Sequence, residues 1–312
     1  MAAAEKADTL IEALGWIRQF RDKFVVVKLG GSVLDNADQL RHILLDILFM
    51  ETVGVRPVVV HGGGARISAA MTEAGIVPTF IQGRRFTDEA TLSIVERVLA
   101  VESNHALADE FEKLGGRAMT LNFLSTPVLF GEKITLRDDQ GTDIDLGWVG
   151  DVTRVDRRVI ENLCYANQVP FIPSMCLTEA GQKLNVNADS AATRVAIELN
   201  ADKLVFLSDV PGVLANPDDP SSLVSALSRA KAEEMMADGR ISAGMIPKIQ
   251  GCLDTLRQGV KKIHIVDGRQ RHSLLLEIYT TQGIGTVIVE SVAGDTSQAA
   301  RSDAPALATQ PS

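Results

Sequence analysis

Aromatic residues make up only 4% of this 312-residue sequence, and there are three cysteines, Cys164, Cys176 and Cys252. An odd number without C-x-x-C spacing indicates neither a disulfide framework nor a zinc site, so buried, reduced thiols are expected. No run approaches the ~18 apolar residues of a membrane span. Residues 1–8 offer alanines and acids where a secretory signal has a basic flank and an apolar stretch. The expectation is a soluble, cytoplasmic protein. Positive charge is also scarce: 31 Lys and Arg stand against 40 Asp and Glu, a net charge of -9. That balance argues against a general nucleic-acid or anionic-membrane partner and leaves room only for a local basic pocket. Three signatures are missing as well. There is no G-x-x-x-x-G-K-[ST], no completed G-x-G-x-x-G, and no G-x-S-x-G elbow to accompany an HGGG oxyanion loop.

What is present begins with two strands that empty into glycines. Lys28-Leu29-Gly30-Gly31-Ser32 follows the apolar run 24–27, and His61-Gly62-Gly63-Gly64 follows the run 57–60. Glycines there let bare backbone N–H groups approach an anion, and a following helix adds its positive end. Two such loops imply two anionic groups held close together. The remaining pattern alternates strand and helix, which predicts an α/β fold with a largely parallel sheet. Helices are expected over 37–53, from about 65, over 88–114 with Thr87 as N-cap and Gly115-Gly116 as stop, over 188–199, and over 273–279. Strands are expected over 203–207, 262–266 and 286–290, with hairpins between 121 and 158. A change of texture near Asn200 divides a lobe of residues 24–199 from one of 200–290. Residues 291–312, without aromatics and rich in Ala, Ser, Thr and Pro, read as a disordered tail.

Four more runs complete the pattern: Gly83-Arg84-Arg85-Phe86-Thr87, Leu184-Asn185-Val186-Asn187-Ala188-Asp189, Ser208-Asp209-Val210-Pro211-Gly212-Val213, and Gly244-Met245-Ile246-Pro247-Lys248. Taken singly, each has a bland reading: Lys28 as a strand-end lysine, Asp189 as a helix cap, Arg85 as a surface charge. In order, spacing and wording, however, the runs together resemble the amino acid kinase family, and within it the acetylglutamate kinases, over residues 10–289. The resemblance implies a three-layer αβα sandwich about one open, mainly parallel sheet, with the amino acid on the N-terminal lobe and ATP on the C-terminal lobe. It implies transfer of a phosphoryl group from MgATP to the γ-carboxylate of N-acetyl-L-glutamate, in the arginine pathway. A carboxylate is already ionised at pH 7, so such a reaction needs no general base; the protein positions two anions and offsets their charge. His61 is accordingly expected to be structural.

By the same resemblance, Lys28 contacts the transferring phosphoryl with the N–H groups of Gly31 and Gly63. Lys248 is the second lysine, on the nucleotide side, and Asp189 orients both. Arg85, Asn185, Gly63 and Gly64 match acceptor ligands. Ser208, Asp209 and Gly212, with Lys28 and Lys248, match the nucleotide site. Magnesium is expected to arrive with ATP, without a metal site of the protein's own. Arg84, Phe86 and Ala243 depart from the family pattern. Two alternatives stand beside this reading. One is a kinase for a related acylated diacid of the aminoadipate type, since a pocket discriminates one methylene by only ~1 to 3 kcal/mol. The other is a non-catalytic amino-acid sensor, against which the retention of Lys28, Asp189 and Lys248 argues.

Residues 1–23 form an N-terminal helix by expectation, opened by a Thr9-x-x-Glu12 capping box and striped by Leu10, Ala13, Leu14 and Ile17 beside Trp16 and Phe20. Such a stripe either folds back on its own subunit or meets another. Its wording resembles the arginine-inhibited branch of the family, in which a matching helix interlaces dimers into a hexamer. Trp16, His272, Glu277 and Gly283 resemble that branch's effector segment, and the resemblance leaves open a PII-type signalling protein as a regulator.

Overall fold

A computed structural model describes residues 3–137, 140–242 and 244–291. Ala243 and most of the expected tail lie outside the described residues. The chain opens with α1 (Ala3–Phe20), β1 (Phe24–Leu29), a single turn α2 (Gly31–Leu34), α3 (Ala37–Thr52), β2 (Arg56–His61) and α4 (Gly64–Glu73). A small ribbon, β3 (Phe80–Ile81) and β4 (Arg84–Arg85), precedes α5 (Glu89–Val95), which continues through a π-helical stretch, Glu96–Ser103, into α6 (Asn104–Lys113). Next come β5 (Ala118–Thr120), β6 (Leu129–Arg137), β7 (Asp143–Val155), α7 (Arg157–Tyr165), β8 (Val169–Pro173), β9 (Met175–Leu177) and β10 (Lys183–Val186). The chain continues with α8 (Ala188–Glu198), β11 (Lys203–Ser208), β12 (Ala226–Ser228), α9 (Arg229–Ala237), α10 (Ile246–Arg257), β13 (Lys262–Asp267), α11 (Ser273–Ile278) and β14 (Thr286–Val289).

Eight strands form one sheet in the order β12-β14-β13-β11-β1-β2-β8-β5, parallel throughout except between β13 and β14. The continuous apolar run of β1 suits a strand covered on both faces. Alternate side chains then feed two cores. Val26, Val58, Leu204 and Ile263 meet the buried faces of α7, α8, α9 and α10. Val25, Val27, Val59 and Val205 meet α1, α3, α6 and α11. Helix, sheet and helix make the three-layer sandwich expected of the sequence. A second sheet, β10-β7-β6-β9, closes on itself beside the first and contains the expected hairpin. Across position 200 the main sheet is continuous, because β11 pairs with β1.

Three local expectations need correction. Helix α1 starts at Ala3, so Thr9 lies inside it instead of capping it. The cap of α5 is Asp88, whose carboxylate accepts the Thr91 N–H at 2.8 Å; Thr87 is fully buried and uses its hydroxyl elsewhere. The single long helix over 88–114 is broken by the π-helical stretch. The expectation for the cysteines holds: all three are free and buried, and burial pushes each thiol up to about 12. No helix among the described residues is long and apolar enough to cross a membrane.

Candidate active site

In an open parallel sheet, ligands bind outside the carboxyl ends of the strands. Here β1 and β2 end side by side, with Lys28 opposite Val60 and Leu29 opposite His61. Lys28 is itself part of β1, one residue before the strand ends. The two glycine loops come together beyond these ends: a Cβ on Gly31 would lie 3.6 Å from the Gly64 nitrogen and 3.7 Å from that of Ala65. Gly63 caps α4 with an extended backbone, so its lack of a side chain serves space. A Cβ there would stand 2.7 Å from Leu99 Cδ2, on the π-helical stretch.

Asp189 lies in the first turn of α8, whose cap is Asn187: the Asn187 side-chain Oδ1 accepts the N–H groups of Asp189 at 2.9 Å and Ser190 at 3.1 Å. The Asp189 carboxylate then divides between two cations. One oxygen is 2.8 Å from Lys28 Nζ and the other 3.3 Å from Lys248 Nζ. Lys248 enters from the first turn of α10, where Pro247 occupies a position that needs no N–H donor. Burial works against the charged carboxylate, but the two ammonium groups outweigh it and hold Asp189 below the usual carboxylate range. Without the carboxylate the two lysines would face each other's charge alone.

Lys28, Gly31, Gly63, Gly64, Arg85 and Asn185 line one cleft of about 270 Å³. Arg85 is anchored in it by α4, donating to the Gly64 carbonyl at 2.9 Å and the Ser68 hydroxyl at 2.8 Å, while Phe80 lies 4.6 Å from its guanidinium carbon. The side chain of Asn185 donates to the Thr87 hydroxyl at 3.1 Å, and that hydroxyl donates to the Arg85 carbonyl at 2.9 Å. Thr87 therefore ties the two expected acceptor ligands together. The cap expected at Thr87 is supplied by Asp88, and only the tertiary structure reveals the task of the Thr87 hydroxyl. A second cleft, about 650 Å³, carries Asp189, Lys248, Asp151 and Arg194. Ser208, Asp209 and Gly212 do not line either cleft; Ser208 closes β11, beside the end of β1.

His61 is fully buried, and burial lowers its pKa to about 4. Asn104 donates to its Nε2 at 3.0 Å, which leaves the proton on Nδ1, facing the Gly62 carbonyl at 3.3 Å. Asn122 in turn donates to the Asn104 side-chain Oδ1 at 3.0 Å and to the Ala100 main-chain carbonyl at 2.9 Å. This chain fixes the peptide leading into the second glycine loop, a structural task.

Residues 23–267 match the amino acid kinase family. The chain belongs to that family. It is similar to the acetylglutamate kinase of Akkermansia muciniphila, with 42% identity over 288 residues covering 91% of this chain and 96% of the relative. The corresponding enzyme of Moorella thermoacetica is 41% identical over 292 residues, 93% of this chain and 99% of the relative. Among solved structures, N-acetylglutamate synthase from Neisseria gonorrhoeae complexed with coenzyme A and L-arginine has a TM-score of 0.78 at 25% identity, over 92% of this chain and 66% of that longer one. Giardia carbamate kinase shares the fold, with a TM-score of 0.59 at 16% identity, over 86% of this chain and 99% of that one.

The residues singled out as an effector segment divide. Trp16 is buried, stacked 5.8 Å from Phe20. Glu277 is buried too; one oxygen accepts the N–H groups of Ile284 and Gly285, each at 2.8 Å, and the other meets His264 Nδ1 at 2.7 Å. Gly283 adopts a φ of 58° and donates to Thr280. Trp16, Lys203, Lys262, His264 and Glu277 line a small common hollow. His272 is not among them. Its left-handed backbone, φ 55°, turns the ring to Asp46 on α3, 2.6 Å away. His264, which the sequence reading passed over, takes the place beside Glu277.

Proposed function

We propose that the protein transfers the γ-phosphoryl group of ATP to the γ-carboxylate of N-acetyl-L-glutamate, giving an acyl phosphate and ADP in arginine biosynthesis. The observation that carries this reading is the Lys28–Asp189–Lys248 bridge at the meeting point of two glycine loops. The names of relatives at about 40% identity support the choice of acceptor. In this reading residues 24–199 hold the acceptor, through Arg85, Asn185 and the Gly63 and Gly64 N–H groups. Residues 200–290 hold the nucleotide, with the loop Ser208, Asp209 and Gly212 near its base or ribose and Lys248 on its phosphates. The carboxylate oxygen attacks the γ-phosphorus, and the bond to the β-phosphate breaks with its electron pair leaving on ADP. No proton has to move. Magnesium would ride on the phosphate oxygens of the nucleotide. The cytoplasm is the expected location.

An ATP-dependent hydroxamate assay tests the reading, with N-acetylglutamate, glutamate, aspartate and acetylated aminoadipate as acceptors. N-acetylglutamate should be preferred. Preference for the aminoadipate derivative would shift the assignment by one methylene, and inactivity on all four would favour a non-catalytic amino-acid sensor.

Regulation by arginine belongs to the same proposal. The hollow between Trp16 and Glu277 joins α1 to α11, so a guanidinium-bearing ligand beside Glu277 would couple the N-terminal helix to the C-terminal lobe. Trp16 and Phe20 fold back on their own subunit, whereas Ile11 and Leu14 on α1 remain 59% and 37% exposed. Those two support a second subunit as the cover, and a hexamer as the assembly. A PII-type regulator rests on the family resemblance alone.

A further inference from the structure

We propose that Arg84 is a phosphate-binding catalytic residue, whose guanidinium contacts the phosphoryl group as it passes from nucleotide to acceptor. The proposal rests on the kinase reading above and adds a residue which that reading does not use.

Its first support is position. Among the described residues, only Gly83, Arg84 and Asn187 line both the cleft with Arg85 and Asn185 and the cleft with Asp189 and Lys248. Arg84 is the one charged side chain of the three. A group that must pass between the two clefts passes along it.

The second support is the state of the side chain. Nη1 of Arg84 is buried with no hydrogen-bond partner. The other cations of the clefts are engaged: Lys28 and Lys248 with Asp189, Arg85 with Gly64 and Ser68, Arg194 with Glu198. A buried donor on a charged group is costly to leave unpaired, and an oxyanion is the partner that a guanidinium fork fits best.

The third is rigidity. Arg84 pairs with Ile81 across a two-residue turn, Gln82 and Gly83, whose φ values of 47° and 77° are both positive. That is the turn whose twist matches a hairpin. The next residues, Arg85 and Thr87, are fixed in the Asn185 network described above. The side chain is therefore carried on a held ribbon, as a preorganised charge stabiliser requires.

Charge points the same way. Asp189 offsets one of the two lysines, leaving a single net positive charge near a group whose negative charge spreads over three oxygens. Arg84 adds the second and brings paired donors that a lysine lacks. The bond changes are those of phosphorus and oxygen alone.

Steady-state kinetics on the full chain, with Arg84→Ala, Arg84→Lys and Arg84→Gln, tests this. A wild type inactive on every acyl diacid fails the kinase reading itself, before the variants are compared. With an active wild type, Arg84→Ala should lose roughly a hundredfold to a thousandfold in kcat, with acceptor KM within about threefold. Arg84→Lys should regain part of kcat, and added guanidinium chloride should raise the turnover of Arg84→Ala. Ligand-free melting curves should match. Arg84→Gln covers the case of an alanine variant that does not fold. Near-native kcat in a folded variant overturns the proposal. So does a loss confined to acceptor KM, which would make Arg84 a ground-state ligand of the substrate's carboxylate.

Discussion

Asn185, on the closed four-stranded sheet, donates to the hydroxyl of Thr87, on the segment between β4 and α5, at 3.1 Å. The same hydroxyl donates to the Arg85 carbonyl, so one buried oxygen links the two residues proposed as acceptor ligands. Thr87→Val keeps the shape and removes the bond. It should cost ~1 to 3 kcal/mol of stability by leaving the Asn185 amide unpaired, and raise acceptor KM more than it lowers kcat. Thr87→Ser should behave like wild type in denaturant melts and kinetics. If valine is tolerated without change in KM, the two ligands are positioned by other contacts.

The bridge made by Asp189 leads to a sharper kinetic expectation. Lys28→Met and Lys248→Met should each remove most turnover while the fold persists, because a positioned charge of this kind lowers the barrier by ~3 to 4 kcal/mol. Asp189→Asn should lower kcat through lysines no longer held, with ATP affinity largely kept. A purely KM effect in Asp189→Asn would mean that the carboxylate serves binding and not alignment.

The parts of this molecule that were legible in the sequence are those set by local pattern. β1 and β11 are continuous apolar runs, as strands buried on both faces must be. β8 was missed because Pro170 and Pro173 disguise Val-Pro-Phe-Ile-Pro, although it lies inside the sheet. Thr87 was misread as a cap because cap rules are local, whereas its burial comes from Gly147 and Trp148, some sixty residues away. The π-helical stretch leaves no mark in the apolar period of 88–114. Lys28, Asp189 and Lys248 were named together from their motifs, and they meet; no periodicity would have joined three residues so far apart. His272 is expected beside Glu277 only from the resemblance of its segment, yet its left-handed backbone places its ring against Asp46, and His264 reaches Glu277 instead from β13.

Gly63 and Leu99 make a packing test of the second glycine loop. A methyl at 63 would collide with Leu99 Cδ2 at 2.7 Å, the mobile end of a side chain, so Gly63→Ala should fold but lose ~1 to 3 kcal/mol through overpacking. In a Leu99→Ala background the same Gly63→Ala change should cost less. Urea midpoints of the four proteins decide it; strict additivity would show that the methyl goes somewhere else.

Two buried groups pull the pH dependence of stability in opposite directions. Burial raises Asp46 from 3.8 to about 6, so its contribution is complete below its unfolded value and is lost as pH rises through about 6. Burial lowers His61 from 6.5 to about 4, so its contribution is complete above its unfolded value and is lost as pH falls through about 4. Each shift corresponds to on the order of 3 kcal/mol, and across the shared window they offset. Asp46→Asn should expose the His61 slope, and its stability relative to wild type should improve as pH rises from about 4 to about 6. Parallel profiles of the two proteins in denaturant titrations would rule out this account of Asp46.

The last expectation concerns α1, which meets its own subunit through one set of residues and offers another set outward. Trp16 and Phe20 are buried with Tyr279 and Phe49 near the Glu277 hollow, while Ile11 and Leu14 face out. Removing residues 1–22 should therefore do three things: dissociate a hexamer into smaller units, weaken inhibition by arginine, and lower the melting temperature because part of the core leaves with the helix. The loss of inhibition should correspond to on the order of 1 to 3 kcal/mol, since an effector acts only through its differential affinity for two arrangements. Ile11→Ser with Leu14→Ser separates these effects, for it keeps Trp16 and Phe20 in place. That variant should dissociate in light scattering while melting close to wild type. A wild-type dimer indifferent to arginine would confine α1 to a packing role within its own subunit, and Trp16 would then be a core residue without a regulatory task.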